Sequence, residues 1–145
     1  MKKATLVAGL LLSFIPLAGS AQDATLPRTT APEGAQAYII SPQDGDTVSS
    51  PVTVVFGLRG IGVAPAGVQQ ANTGHHHLLI DLEEPENYSL PLPTTDQVVH
   101  FGGGQTEATI ELEPGEHTLR LVLGDHLHIP HEPPVMSEIV TITVE

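Results

Sequence analysis

Six of the eight histidines in this chain lie in two short runs, and histidine is the side chain that most often binds metal ions. The first run is His75-His76-His77, and the second contains His126, His128 and His131. In an extended strand, the two rings of a His-x-His pair point to the same face. If the two runs meet in the folded chain, their imidazole nitrogens can converge on one ion. The spacing therefore predicts a metal site.

The residue types that the chain lacks narrow the class of site. There is no cysteine, which excludes a disulfide framework, thiol catalysis, zinc held by sulfur and a blue-copper centre. Met136 is the only methionine besides Met1, which disfavours a thioether site for reduced copper. The donors must therefore be nitrogen and oxygen, and copper(II) or zinc(II) is the expected ion.

The first 21 residues have the pattern of a secretory signal peptide. Lys2 and Lys3 precede an apolar stretch over residues 4–17, and small residues follow at 18–21. The apolar stretch is shorter than the roughly 20 residues of a membrane-spanning helix, and no later stretch approaches that length. We therefore predict cleavage after residue 20 or 21, a periplasmic or secreted location, and no membrane insertion after signal cleavage.

The charge of the processed chain restricts its partners. Loss of Lys2 and Lys3 leaves three arginines against 17 acidic residues, a formal charge of −14. Such a surface repels nucleic acid and anionic membranes, and it attracts cations. The acidic surface is explained equally well by solubility in the envelope, so the expected partner, a divalent metal ion, rests on the histidines. An envelope protein is left open as a second partner.

The remainder is predicted to form one all-β domain over residues 37–145, preceded by a flexible leader over residues 22–36. Seven segments rich in β-branched or alternating apolar residues are separated by turn residues, and no window has helical periodicity. These segments span residues 38–40, 52–58, 75–81, 98–101, 106–112, 117–123 and 137–145. The pattern predicts an immunoglobulin-like β-sandwich of about seven strands.

Naming these strands A to G in chain order predicts which histidines meet. In an immunoglobulin-like sandwich strand C pairs with strand F, so both histidine runs lie at the same end of one sheet. His100 ends strand D and points to that end from the other sheet, whereas His117 begins strand F at the opposite end. The expected ligands are His75, His77, His126 and His128, with His100 or His131 nearby.

Strand alternation divides the histidines between two faces. The core face of strand C is apolar at every second residue, which turns His75 and His77 outward and His76 inward. In strand F the same alternation turns His126 and His128 outward, provided that the strand stays regular beyond residue 124. Two pairs of imidazoles would then lie on neighbouring strands of one sheet.

Other residues near the runs have simpler expected roles. Asp125 and Glu132 are candidate oxygen ligands, or hydrogen-bond partners that fix the histidine tautomers. His117 is expected to form hydrogen bonds at the corner between strands E and F. The triple glycine at 102–104 is followed by neither a lysine nor a helix start, so we expect a flexible hairpin or a close backbone approach there.

Four blocks of sequence, in this order, resemble the bacterial secreted family described as domain of unknown function 4399. The blocks are GHHHLLID at 74–81, HFGGGQTE at 100–107, PGEHTL at 114–119 and GDHLHIPH at 124–131. The resemblance extends over most of the region from Tyr38 to Val144 and implies a small envelope domain. The family has no established activity to transfer, and the resemblance implies no ligand set.

The function predicted from these features is that of an exported domain that buffers or delivers copper or zinc through its histidines. A structural or partner-binding envelope domain without metal is the main alternative. A cupin-like enzyme is weaker, because His126-x-His128-x-x-x-Glu132 has the cupin spacing without the flanking glycines or the downstream histidine. A dismutase is also weaker, since the usual disulfide of copper–zinc superoxide dismutases cannot form. No pair of nucleophile and base is evident, so we expect binding instead of turnover.

Overall fold

The structure, a computed structural model, describes residues 26–145, which form nine β-strands and no helix. The strands are β1 (Gln36–Ser41), β2 (Thr47–Val48), β3 (Val52–Arg59), β4 (Gly62–Val63), β5 (Thr73–Ile80), β6 (Val98–His100), β7 (Glu107–Ile110), β8 (Gly115–Gly124) and β9 (Val140–Val144). Within these residues there is accordingly no helix long and apolar enough to span a bilayer. The predicted signal peptide lies outside the described residues.

The strands form two sheets that share one apolar core. One sheet has the order β1-β3-β7, and the other has the order β2-β9-β8-β5-β4, with β6 also paired to β5. Buried side chains from both sheets meet between them, including Phe56, Leu78, Leu121 and Ile142. Strands A, B and E therefore form one sheet and C, F and G belong to the other, as the predicted immunoglobulin-like sandwich requires.

The outer face of the six-stranded sheet is also covered. Leu79 of β5 and Val122 of β8 point away from the main core, and both are fully buried. They pack against Leu92, in the segment that returns from β5 to β6, and against Val98, the first residue of β6. A second, smaller apolar cluster thus shields a face that strand alternation alone would leave open to solvent.

One strand pairing differs from the prediction. Strand D, here β6, pairs with β5 and not with strand E. The register places His100 opposite His77 and Val98 opposite Leu79. The physical reason is burial, because Val98 gains its apolar contacts on the outer face of the large sheet. The prediction that His100 approaches from the other sheet is therefore wrong, and it lies in the same sheet as His77.

Residues 28–31, which we call the strap, bind to the domain although they were predicted to belong to a flexible leader. Thr30 forms a parallel β-bridge with Glu132, whose backbone amide donates to the carbonyl of Thr29 at 2.9 Å. The guanidinium of Arg28 pairs with the carboxylate of Glu132. The strap therefore holds the loop that carries the second histidine run.

Candidate metal centre

Four histidine side chains meet on the outer face of the six-stranded sheet. His75 and His77 come from β5, His100 comes from β6, and His128 comes from the turn after β8. Their ring centroids lie 4.8–6.0 Å apart in all six pairs. We call these four residues the histidine cluster. Strand pairing brings three of them together, because β6 runs beside β5 with His100 opposite His77.

His128 reaches the cluster because the chain turns back after β8. The carboxylate of Asp125 accepts hydrogen bonds from the amides of Leu127 and Ile129, at 2.9 and 3.0 Å. The amide of His128 donates to the carbonyl of Asp125 at 2.9 Å. His128 itself has a φ of 68°, in the left-handed region that is unfavourable for most residues other than glycine. The hydrogen bonds to Asp125 therefore hold a strained residue in the conformation that places its ring.

Asp125 is itself fixed by the strap. Its carboxylate accepts a hydrogen bond from the Thr29 hydroxyl at 2.7 Å. Burial by itself raises the pKa of Asp125, but this hydrogen bond and those from the Ile129 and Leu127 amides outweigh it and hold the pKa below its ordinary value. Asp125 is therefore ionised at neutral pH, and its carboxylate serves as an anchor for the turn.

Glycines make room for the rings at two positions. A Cβ on Gly102 would lie 2.4 Å from Cε1 of His100, and a Cβ on Gly124 would lie 2.8 Å from Cε1 of His77. Both distances are far shorter than a van der Waals contact, so a larger residue would displace a ring. The triple glycine thus provides a close approach, one of the two roles predicted for it, and its last member Gly104 has a φ of 80°.

Two members of the histidine cluster are fully buried, and most of the cluster's ring nitrogens have no hydrogen-bond partner among the described residues. His75 and His77 have no exposed surface. Within the described residues, neither ring nitrogen of these two histidines has a hydrogen-bond partner, and neither does Nε2 of His100. A neutral imidazole carries one N–H donor and one lone pair, and leaving such a group unpaired in a protein interior costs about 1–3 kcal/mol. Five nitrogens of the cluster are in this position.

Three of the rings bring nitrogens close enough to converge on one point. One ring nitrogen from each of His75, His100 and His128 lies within 4.8 Å of the others. Nitrogens that bind one tetrahedral ion at about 2.0–2.1 Å are about 3.3 Å apart. The three nitrogens would therefore have to approach one another by at most about 1.5 Å, which side-chain rotation can supply. His77 is the neighbouring fourth ring, with its centroid 4.8 Å from that of His75.

Burial lowers the pKa of the clustered rings. The pKa of His77 falls to about 2, mainly through burial and then through repulsion by the charges that His75, His100 and His128 would carry. Burial likewise lowers the pKa of His75 to about 4, and it lowers the pKa of His100. These three rings are therefore neutral at pH 7, and the neutral form is the one that can bind a metal ion.

The other predicted ligands lie outside the histidine cluster. His126 is half-buried and lines a small cleft beside Thr29 and Gln69. His131 is buried, with its Nδ1 3.4 Å from the carbonyl oxygen of Leu123. Strand alternation does not extend to His126, because β8 ends at residue 124 and a turn follows. The sequence signal that could have predicted this turn is the dipeptide Gly124-Asp125 with Pro130 shortly after it.

The two candidate oxygen ligands are also engaged elsewhere. The carboxylate of Asp125 accepts hydrogen bonds from the strap and from its own turn, and that of Glu132 pairs with Arg28. Thr29, which fixes Asp125 from a distant part of the sequence, was not predicted to have a role. The histidine cluster is therefore an all-nitrogen set without an anionic donor.

His76 and His117 lie where the sequence predicted. His76 faces the core, with its ring centroid 5.1 Å from that of Phe56. His117 lies at the far end of β8, with Nδ1 2.8 Å from a carboxylate oxygen of Asp81 and Nε2 2.9 Å from the carbonyl oxygen of Glu113. Both oxygens are acceptors, so the protonated ring can donate from both nitrogens, and these contacts raise the pKa of His117, the hydrogen bond to Asp81 most. His117 is a corner residue remote from the histidine cluster.

Comparison with known proteins identifies the family. The family model described as domain of unknown function (DUF4399) matches residues 54–145, more than half of the chain. The chain belongs to this family. The resemblance predicted from four sequence blocks is confirmed. Neither the curated proteins nor the solved structures contain a match to the chain.

The DUF4399 match contains the whole histidine cluster. It begins within β3 and extends through β5, β6, β8 and the turn with His128. The strap and β1 precede it. The family description names no activity, so the function of this DUF4399 domain has to be argued from the geometry of its side chains.

Proposed function

We propose that this domain binds a copper or zinc ion through His75, His77, His100 and His128, and buffers or delivers that ion in the cell envelope. The observation that carries the proposal is the grouping of four imidazoles within 6.0 Å of one another, two of them fully buried, while five of their nitrogens lack hydrogen-bond partners among the described residues. A bound ion would give each ring a partner for one nitrogen. The envelope location rests on the predicted signal peptide.

The alternative, a polar cluster without an ion, accounts less well for these contacts. Polar side chains that serve only the fold are normally hydrogen-bonded when they are buried. His117 illustrates that behaviour, because both of its nitrogens have oxygen acceptors. The rings of His75 and His77 have none among the described residues.

The number of donors supports binding over catalysis. Catalytic zinc sites keep one coordination position open for water or substrate, whereas structural sites fill all four with protein ligands. The nitrogens of His75, His100 and His128 converge, and in this proposal His77, whose ring is next to that of His75, supplies the fourth ligand and fills the set. A site of this kind holds an ion and releases it when a ligand moves, and His128, on a turn, is the ligand best placed to move.

One observation favours a second candidate, the binding of a small ligand or partner. A cleft of about 730 Å³ lies in the segment 82–98 and is lined by apolar residues such as Leu82 and Leu90. Its wall is tied to the histidine cluster, because the amide of Leu92 donates to the carbonyl of His128 at 2.8 Å. A domain that bound a ligand there and no metal would fit this cleft.

Metal titration of untagged, chelator-treated protein tests the proposal. We expect one equivalent of zinc to bind with a dissociation constant below about 1 μM. The His117→Gln variant should bind zinc with the same affinity. The protein purified from the envelope should contain metal. His117 is the matched control because it is a histidine whose nitrogens are already bonded. Binding weaker than about 100 μM to the wild-type protein would remove the metal function and favour the ligand-binding candidate.

The anchor of the turn gives a second expected result. Asp125→Asn should weaken zinc binding by about 10–100-fold, the usual effect of altering a group that orients a ligand. Thr29→Val, which removes only the hydrogen bond from the strap, should have a smaller effect in the same direction. Thr53→Val is the control. The Thr53 hydroxyl forms its hydrogen bond with Thr109 within the three-stranded sheet, which does not carry the histidine cluster. An unchanged affinity in Asp125→Asn would show that the carboxylate does not position His128.

A further inference from the structure

The arrangement of the four rings is close to a tetrahedron. Five of the six centroid distances fall between 4.8 and 5.1 Å, and the sixth, between His77 and His128, is 6.0 Å. A regular tetrahedron has six equal edges. A square with sides of about 4.9 Å would instead have two diagonals of about 6.9 Å, the pattern suited to a square-planar ion. No pair in the histidine cluster is that far apart.

This geometry discriminates between oxidation states of copper. Copper(II) favours square-planar or tetragonal sets of nitrogen and oxygen donors. Copper(I), like zinc(II), has a filled d shell and imposes no such preference, so it accepts a tetrahedral set. The four rings come from two paired strands and an anchored turn, which fix the backbone positions from which small side-chain rotations reach a tetrahedral set.

The charge of the site favours the lower oxidation state as well. None of the four donors is a carboxylate or another anionic group, and two of them, His75 and His77, are fully buried. The free-energy cost of moving an ion out of water rises with the square of its charge, so a buried site without anionic ligands penalises a divalent ion most. Asp125, three residues before His128, is the only buried carboxylate among the described residues, and its charge acts on His75. Its single negative charge balances a monovalent ion and leaves a divalent one uncompensated.

From this geometry and charge we infer that the histidine cluster binds copper as copper(I) and raises the copper(II)/copper(I) reduction potential. The inference rests on the proposed metal function and narrows the ion to reduced copper. It needs no thioether or thiolate donor, because the tetrahedral shape and the lack of charge come from imidazoles alone. The site would hold copper in a form that resists oxidation.

Competition titrations in both oxidation states test this inference. Copper(I) is titrated without oxygen against bicinchoninate, and copper(II) is titrated against nitrilotriacetate. Both titrations use the chain without its predicted signal peptide. We expect copper(I) to bind at least about 1,000-fold more tightly than copper(II), which corresponds to a potential raised by about 180 mV at 59 mV per factor of ten. Copper(II) that does enter should give the compressed parallel hyperfine splitting of a flattened tetrahedron in its electron paramagnetic resonance spectrum.

A matched pair of variants isolates the effect of charge. His128→Asp supplies an anionic donor and His128→Asn a neutral one, and both residues tolerate the left-handed conformation found at this position. The preference for copper(I) over copper(II) should be at least 10-fold smaller in His128→Asp than in His128→Asn. Equal ratios in the two variants, or copper(II) bound as tightly as copper(I) with a tetragonal spectrum, would overturn the inference.

The outcomes separate the inference from the function on which it rests. Zinc or copper(II) binding to His75 and His77 with weak copper(I) binding would refute the preference for reduced copper and leave the metal function intact. A protein that binds none of the three ions more tightly than about 100 μM would refute both.

Discussion

His77→Leu is expected to lower metal affinity by more than 100-fold while leaving the metal-free protein as stable as wild type or up to about 2 kcal/mol more stable. The affinity falls because the proposed set of four ligands is reduced to the three histidines whose nitrogens converge. The stability holds because leucine removes two unpaired buried nitrogens and fills similar space with apolar surface. Calorimetric titration and urea unfolding in the presence of a chelator measure the two quantities.

His117→Leu should give the opposite pair of results. Its ring makes two hydrogen bonds, to Asp81 and to the carbonyl of Glu113, so its loss should destabilise the protein by about 1–2 kcal/mol. Metal affinity should not change, because the residue lies at the far end of β8. If His77→Leu instead destabilised the metal-free protein by several kcal/mol, the ring would have a structural role and the argument from unpaired nitrogens would fail.

Acid is expected to unfold the metal-free protein between about pH 6 and pH 4. Burial lowers the pKa of His75 and His76 to about 4 and that of His77 to about 2, against 6.5 for an unperturbed histidine. In this range the unfolded chain takes up protons that the folded chain does not, so stability is fully present above pH 6.5 and falls as the pH falls. Each group contributes about 1.4 kcal/mol per pH unit, and three groups about 4 kcal/mol, a large fraction of the 5–15 kcal/mol typical of a domain.

Urea unfolding at several pH values with a chelator present measures this slope. His76→Leu is the informative variant, because His76 packs against Phe56 in the core and lies outside the histidine cluster. In this variant the number of protons taken up on unfolding should fall by about one, which makes the dependence of stability on pH less steep. Its metal affinity should be nearly unchanged. His117 works in the opposite direction, since its raised pKa stabilises the fold at low pH and that contribution is lost as the pH rises. A stability that did not change between pH 7 and pH 5 would contradict the buried, neutral state of these rings.

The sequence was sufficient for features that depend on strand periodicity. Alternation at every second residue predicted that His75 and His77 share one face and that His76 faces the core, and the contact between His76 and Phe56 confirms the latter. The order of turns and strands predicted the pairing of β5 with β8 and the corner position of His117. These features follow from local backbone geometry, which repeats along a strand whatever packs around it.

Tertiary structure decided which histidines form the cluster and how deeply they are buried. His128 joins it and His126 does not, because Asp125, anchored by Thr29 of the strap, turns the chain at the end of β8. His100 joins from the same sheet because Val98 and Leu92 pack on the outer face of β5 and β8. The same packing buries the face of the sheet that strand alternation predicts to be exposed. Both outcomes depend on contacts between residues far apart in the chain, and a local pattern contains no information about where a long loop returns or which side chain holds a strained turn.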